Sequence, residues 1–189
     1  RRHVLALPEE RVIIHVSNFR KVKRIDDVVN VFNLIQKEVP SKLVMVGEGP
    51  EKKPAEEQAR ALGIEDKVLF LGKSNEVDRI LCFSDLFLLP SETESFGLAA
   101  LEAMASGVPV ISSNTGGIPE VNINGFSGYL SDVGAVEEMA KNAISILKDD
   151  AVLEQFKENA LEVAKKFEIN HIVSEYEQLY QNALNFNEI

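Results

Sequence analysis

Short β-branched runs alternating with amphipathic stretches constrain this chain more than any other feature. RVIIHVS (11–17) is continuous and apolar, the pattern of a strand buried on both faces. IDDVVNVFNLIQKEV (25–39) follows, with Val28, Val31, Phe32, Ile35 and Val39 at helical spacing. KLVMVGEGP (42–50) is a second strand running into a Gly-rich loop. Residues 51–62 form a polar helix starting near Pro54 and closed by Gly63. Further strands fall at 67–72, 85–91 and 108–114, with a weaker one at 128–132, and helices at 75–84 and 96–107. Pro119 opens a short helical turn after NTGG. Alternation at a spacing of roughly 20–25 residues implies a parallel sheet with helices on both faces. Right-handed crossovers then put the segments leaving each strand on one edge, where ligands of this architecture bind. Five such segments hold the unusual local features: SNFRKVKR, GEGPE, GKSNE, PSETESFG and NTGG.

The last third lacks strands. Residues 135–149, 150–167 and about 170–186 read as three helices. Val152, Phe156, Ala160 and Val163 form one packing stripe, and Ile172, Tyr176, Leu179 and Tyr180 another. The 189 residues, 45% hydrophobic, suffice for one well-packed α/β domain, with residues 1–132 as core and 133–189 as C-terminal helices. No apolar run approaches the ~20 residues of a membrane helix, and RRHVLALPEE lacks a signal peptide's apolar stretch. The chain starts without Met and is expected to be a fragment of a longer one. Its single Cys82 excludes an internal disulfide and fits a reducing, cytoplasmic compartment. Cys82 sits among apolar residues in RILCFSDLFLL and is expected to be buried packing.

A formal net charge of −10 argues against a general nucleic-acid binder. Against it stands one basic cluster: Arg20, Lys21, Lys23 and Arg24. It fits either a small anionic ligand or a solvated loop neutralised by nearby acids.

The stretch ESFGLAALEAMASGVPV (94–110) carries Glu94 and Glu102, eight residues apart. Phe96, Gly97 and Leu98 fall at a helix start, where unpaired amides attract phosphate. Carboxylates are poor partners for phosphate and good ones for neighbouring hydroxyls. A diphosphate flanked by polyols, a nucleotide sugar, satisfies both. The plain alternative is a Glu favouring the helix dipole and a second Glu on the surface.

ESFGLAALEAMASGVPVISSNTGGIPE resembles the signature of glycosyltransferase family 4, the retaining GT-B enzymes. The resemblance extends through SNFRKVKR, VMVGEGPE, VLFLG and SDLFLLPSETE, to about residue 132. It implies an α/β, Rossmann-like parallel sheet sandwiched by helices, forming the C-terminal half of a GT-B fold. It gives Glu94 to the donor sugar and Glu102 to the nucleotide ribose. The family's diphosphate clamp is an Arg and, five residues on, a Lys. Here Lys23 holds the second position, Asn18 stands where the Arg is usual, and Arg20 is close enough to supply its charge. Gly72 and Lys73 match the segment that reads the uracil edge. Ser95 joins Phe96, Gly97 and Leu98 along the donor, and Gly47 and Gly49 either admit the nucleotide or simply turn the chain. Gly116 and Gly117 shape the wall beside it. His15 is expected to be a packed or hydrogen-bonded core residue, with His3 and His171 incidental. No metal and no other cofactor is expected.

SNFRKVKR, LLPSETESFGLAALEAMASGVPVI and VSEYEQLY are similar to the N-acetylglucosaminyl L-malate synthase subfamily of the bacillithiol pathway. The expected reaction is therefore retaining transfer of N-acetylglucosamine from UDP to a small hydroxyl acceptor such as L-malate. The acceptor domain is expected to be missing, leaving a chain that binds UDP-sugar weakly and turns over little. The last helix would belong against that domain, leaving some apolar residues at 172–186 exposed or paired with another chain. Two rivals stand beside this: a family 4 transferase for lipid or polysaccharide acceptors, and a non-catalytic nucleotide-binding module.

Overall fold

The computed structural model describes residues 4–167 and 178–179. Six parallel strands form one sheet in the order β3-β2-β1-β4-β5-β6. They are β1 (Arg11–Val16), β2 (Ser41–Val46), β3 (Val68–Gly72), β4 (Leu86–Leu89), β5 (Val110–Ser113) and β6 (Gly128–Ser131). The helices between and after them are α1 (Ile25–Gln36), α2 (Lys52–Ala61), α3 (Val77–Leu81), α4 (Leu98–Ala105), α5 (Ile118–Val121), α6 (Val136–Leu147) and α7 (Asp150–Lys166).

The central strands read as unbroken apolar runs because both of their faces are covered. Successive β1 side chains serve opposite cores. Ile13 packs with Leu43, Met45, Leu86 and Leu88 under α1 and α6. Val12 and Ile14 pack with Val44, Phe87, Leu89 and Val110 under α4 and α7. The pairing Ile13↔Leu43 and Ile13↔Leu86 keeps this two-sided division in register across the centre of the sheet. Asp149 caps α7 by accepting from the amides of Ala151 and Val152. The expected stripe on α7 is in place: Phe156, Ala160 and Val163 are buried and Val152 packs against the core.

Three local features depart from the sequence reading. The helix expected over 75–84 is only Val77–Leu81. Single 3₁₀ turns occur at Lys21–Lys23 and Glu65–Lys67, where loop was expected. Cys82 is exposed, not buried: in so short a helix Leu81 takes the inward position and its neighbour faces out. The third C-terminal helix, with Ile172, Tyr176 and Tyr180, lies outside the described residues, apart from Gln178 and an exposed Leu179.

Phe32 is fully buried between α1 and the sheet. Phe32→Ala is expected to lower unfolding free energy by roughly 3–5 kcal/mol in chemical denaturation. A loss below about 1 kcal/mol would contradict the two-layer packing.

Candidate functional site

Strand order fixes where a crevice can open. From β1 the chain steps outward to β2 and β3, and from β4 it steps the other way to β5 and β6. The loops leaving the adjacent strands β1 and β4 therefore diverge, and a cleft forms between them at the carboxyl edge.

The five strand-exit loops are bonded to one another in the order of their strands. Gly47 N–H donates to the Gly72 carbonyl at 2.9 Å, joining the β2 and β3 exits. Phe19 N–H donates to the Glu48 carbonyl at 3.0 Å and Glu51 N–H to the Phe19 carbonyl at 2.9 Å, joining β1 and β2. Glu92 N–H donates to the Val22 carbonyl at 2.8 Å, joining β4 and β1. Gly117 N–H donates to the Glu94 carbonyl at 2.9 Å, joining β5 and β4. The loops lie too close for side chains at the crossing points. A Cβ on Gly47 would fall 1.8 Å from the Ser17 carbonyl oxygen, and one on Gly116 the same distance from that of Glu94. Those glycines serve loop against loop.

Across the β1–β4 divergence, Lys23 Nζ donates to Glu94 Oε1 at 2.7 Å. Both side chains are largely shielded, with 22% and 12% of their surface exposed, so the pair is attractive beyond a surface contact. Ser91 Oγ donates to the same Oε1 at 2.9 Å. Arg24 brackets the pair from outside, bonding Asp27 through Nε and Glu92 through Nη1 at 3.1 Å. Arg24 is the one non-glycine among the described residues with positive φ, +50°. That left-handed residue ends the 3₁₀ turn and starts α1, which fixes Lys23 against Glu94. In the sequence Arg24 stands out only as a cation, and Ser91 carries no assigned role. The positive φ leaves no mark in the residue type, whereas a Ser three positions before Glu94 was visible.

The basic cluster divides into a neutralised and an exposed half. Lys23 and Arg24 are neutralised by Glu94, Asp27 and Glu92. Arg20 and Lys21 are exposed at the same loop and form no ion pair among the described residues. Asn18 is exposed, its carbonyl accepting from Arg20 N–H at 2.7 Å. Lys73 is exposed beside Gly72 at the β3 exit.

On the other side of Glu94 the chain runs through exposed Ser95 and Phe96 into α4. Gly97 is its N-cap with φ +66°, and among the described residues no side chain caps the helix. Its first turn thus keeps unpaired amides and a partial positive charge. Leu98 in that turn is exposed. Glu102 follows on the same helix. It is solvent-accessible, yet local desolvation first, and the charge of Asp78 second, raise its carboxyl above the usual range. Glu102 shares no bond with Lys23 or Glu94 among the described residues. Asp78, its charged neighbour, belongs to α3, past the β3 exit.

Beneath the pair lies His15, wholly buried. Its Nδ1 sits 2.8 Å from the Leu88 carbonyl, which can only accept, so Nδ1 carries the proton. Nε2 then accepts from the Ser17 hydroxyl at 2.7 Å. Burial pushes the imidazole pKa down to about 4. His15 is a neutral core tie between β1 and β4, as expected.

Among the described residues no group of three or more His, Cys, Asp or Glu is arranged to hold a metal. No described helix is long and apolar enough to cross a membrane.

The sequence matches the family model "Glycosyl transferases group 1" over residues 1–163. It is 50% identical over 176 residues to an N-acetyl-alpha-D-glucosaminyl L-malate synthase of Bacillus anthracis, covering 93% of this chain and 46% of that protein. The fold superposes with a TM-score of 0.84 on a sucrose-phosphate synthase from Thermosynechococcus elongatus, 27% identical, over 97% of this chain and 48% of that one. It superposes at 0.81 on HepE from Anabaena in complex with UDP and glucose, 25% identical, over 92% and 49%. The chain thus spans about half the length of these proteins.

His15 makes stability pH-dependent with a definite sign. The unfolded imidazole titrates near 6.5 and the folded one near 4, so the unfolded chain binds more protons between those values. Stability is complete above pH 6.5 and is lost as pH falls toward 4. Between pH 7 and pH 5 this group should account for a loss of about 2 kcal/mol. His15→Gln should flatten that part of the urea-denaturation profile; an unchanged slope would contradict the assignment.

Proposed function

The chain belongs to the group 1 glycosyl transferases, and from that premise we propose that it is the donor-binding part of a retaining GT-B enzyme using a UDP-sugar. One observation carries the proposal: Lys23 and Glu94 meet across the β1–β4 divergence, beside the uncapped N-terminus of α4. A cation, free helix amides and an acid in one crevice match a diphosphate joined to a sugar.

The bond to be broken joins the sugar's anomeric carbon to a β-phosphate oxygen of UDP. Its electron pair goes to that oxygen, so negative charge grows on the leaving diphosphate. Neutralising it is the role we give to Lys23, Arg20 and the amides at Phe96, Gly97 and Leu98. Stabilising charge that develops only in the transition state raises turnover rather than affinity alone. Glu94 orients the sugar through its hydroxyls, with Ser95 alongside, and Glu102 accepts from the ribose hydroxyls. Partial desolvation of Glu102 would strengthen such bonds. Asn18, Gly47, Gly72 and Lys73 complete the wall around the uridine, with backbone groups reading the base.

The 50% identity to a malate-transferring enzyme supports N-acetylglucosamine as the sugar and L-malate as acceptor. Acceptor binding is proposed to come from a further domain, since the chain corresponds to 46% of that relative. The lone cysteine fits a cytoplasmic setting for such chemistry.

The experiment is an assay of the full-length protein with UDP-N-acetylglucosamine against a panel of acceptors, following UDP release. Release with L-malate is expected, and turnover only with a lipid or polysaccharide would overturn the acceptor assignment. Lys23→Ala should lower kcat by about 100- to 1000-fold. Glu102→Ala should weaken UDP binding by roughly tenfold, the equivalent of one or two hydrogen bonds. Full turnover in Lys23→Ala would remove the leaving-group role.

A further inference from the structure

Glu94 uses its two carboxylate oxygens unequally. Oε1 accepts from Lys23 Nζ at 2.7 Å and from Ser91 Oγ at 2.9 Å. Among the described residues nothing bonds to Oε2. Ser91 is wholly buried, so no solvent competes for its hydroxyl. Its carbonyl accepts from Ser113 Oγ at 2.6 Å, which ties the residue to β5. The Ser91 hydroxyl is therefore held at a fixed place with its proton directed at Glu94.

Lys23 and Ser91 differ in what an arriving donor does to them. A diphosphate carries more charge than one carboxylate and competes for the Lys23 ammonium. Ser91 is buried and neutral and has no such competitor. Without it, Glu94 would lose its anchor at the moment Lys23 engages phosphate. A hydroxyl also fixes the carboxylate without neutralising it, leaving the charge available to sugar hydroxyls.

We propose that Ser91 is a positioning residue for the donor sugar: its hydroxyl holds Glu94 Oε1 so that Oε2 faces the sugar after Lys23 has turned to the phosphates. This rests on the placing of Glu94 against the donor sugar. Ser91 touches no substrate atom itself.

Calorimetric titration of the full-length protein with UDP and with UDP-N-acetylglucosamine separates the two ideas. Wild type should bind the sugar conjugate more tightly than UDP, and Glu94→Ala should erase that difference. Ser91→Ala should cut the sugar's contribution by about five- to tenfold while leaving UDP affinity within about twofold. Ser91→Cys, which fills the same space with a weak donor, should behave alike, so the result does not depend on a cavity. If wild type gains nothing from the sugar, or Glu94→Ala keeps the gain, the sugar-facing role of Glu94 falls and the proposal with it. If Glu94→Ala behaves as expected but both Ser91 variants keep the full gain, only the positioning role is overturned. Equal losses for UDP and its conjugate in the Ser91 variants would mark a purely structural residue and overturn it too.

Discussion

The contact between Lys23 and Glu94 organises the carboxyl edge of this molecule. It links residues 71 positions apart, and it can form only because β1 and β4 are neighbours whose exits diverge. Strand order sets that adjacency, and strand order in turn follows from two apolar layers that both need covering. Arg24 in its left-handed conformation and Glu92 against Val22 keep the two loops at the right separation. The ion pair holds a cation and an acid largely shielded from bulk water. Preorganisation of this kind lowers the reorganisation that chemistry would otherwise require.

Much of the scaffold was legible in the residues alone. Strands buried on both faces leave continuous β-branched runs, so all six were visible with bounds off by only a few positions. Helices with a buried stripe were equally plain at 25–39 and 150–167. Failures came where the pattern was short. Val77–Leu81 is barely more than one turn, too brief for periodicity to say which residue faces in, and Cys82 was misplaced for that reason. The 3₁₀ turn at Lys21–Lys23 and the positive φ of Arg24 leave no periodic signal, and the Arg24–Glu92 bond that accompanies them spans 68 positions.

The candidate site was legible in a different way. Resemblance to a family signature singled out Lys23, Glu94 and Glu102, and residue chemistry alone left a surface-acid alternative standing. The structure puts Lys23 on Glu94 directly, and leaves Glu102 further along α4 beside Asp78. Two of the three residues thus share one point and the third lies toward the β3 exit, a layout suited to an extended ligand. At Gly47 and Gly116 a side chain would collide with neighbouring backbone, so both glycines let one strand-exit loop cross the next. What the sequence could not reveal were the ties behind the acid that cross strands, Ser113 to the Ser91 carbonyl and His15 to the Leu88 carbonyl.

A sugar diphosphate is proposed to lie along the carboxyl edge, from the β3 exit to the start of α4. Backbone amide shifts recorded by NMR during titration with UDP-N-acetylglucosamine test it most directly. Large changes are expected to cluster at residues 18–24, 47–49, 72–73, 94–102 and 116–117. Changes concentrated instead at the opposite edge, around Arg11, Pro40 and Lys148, would contradict it.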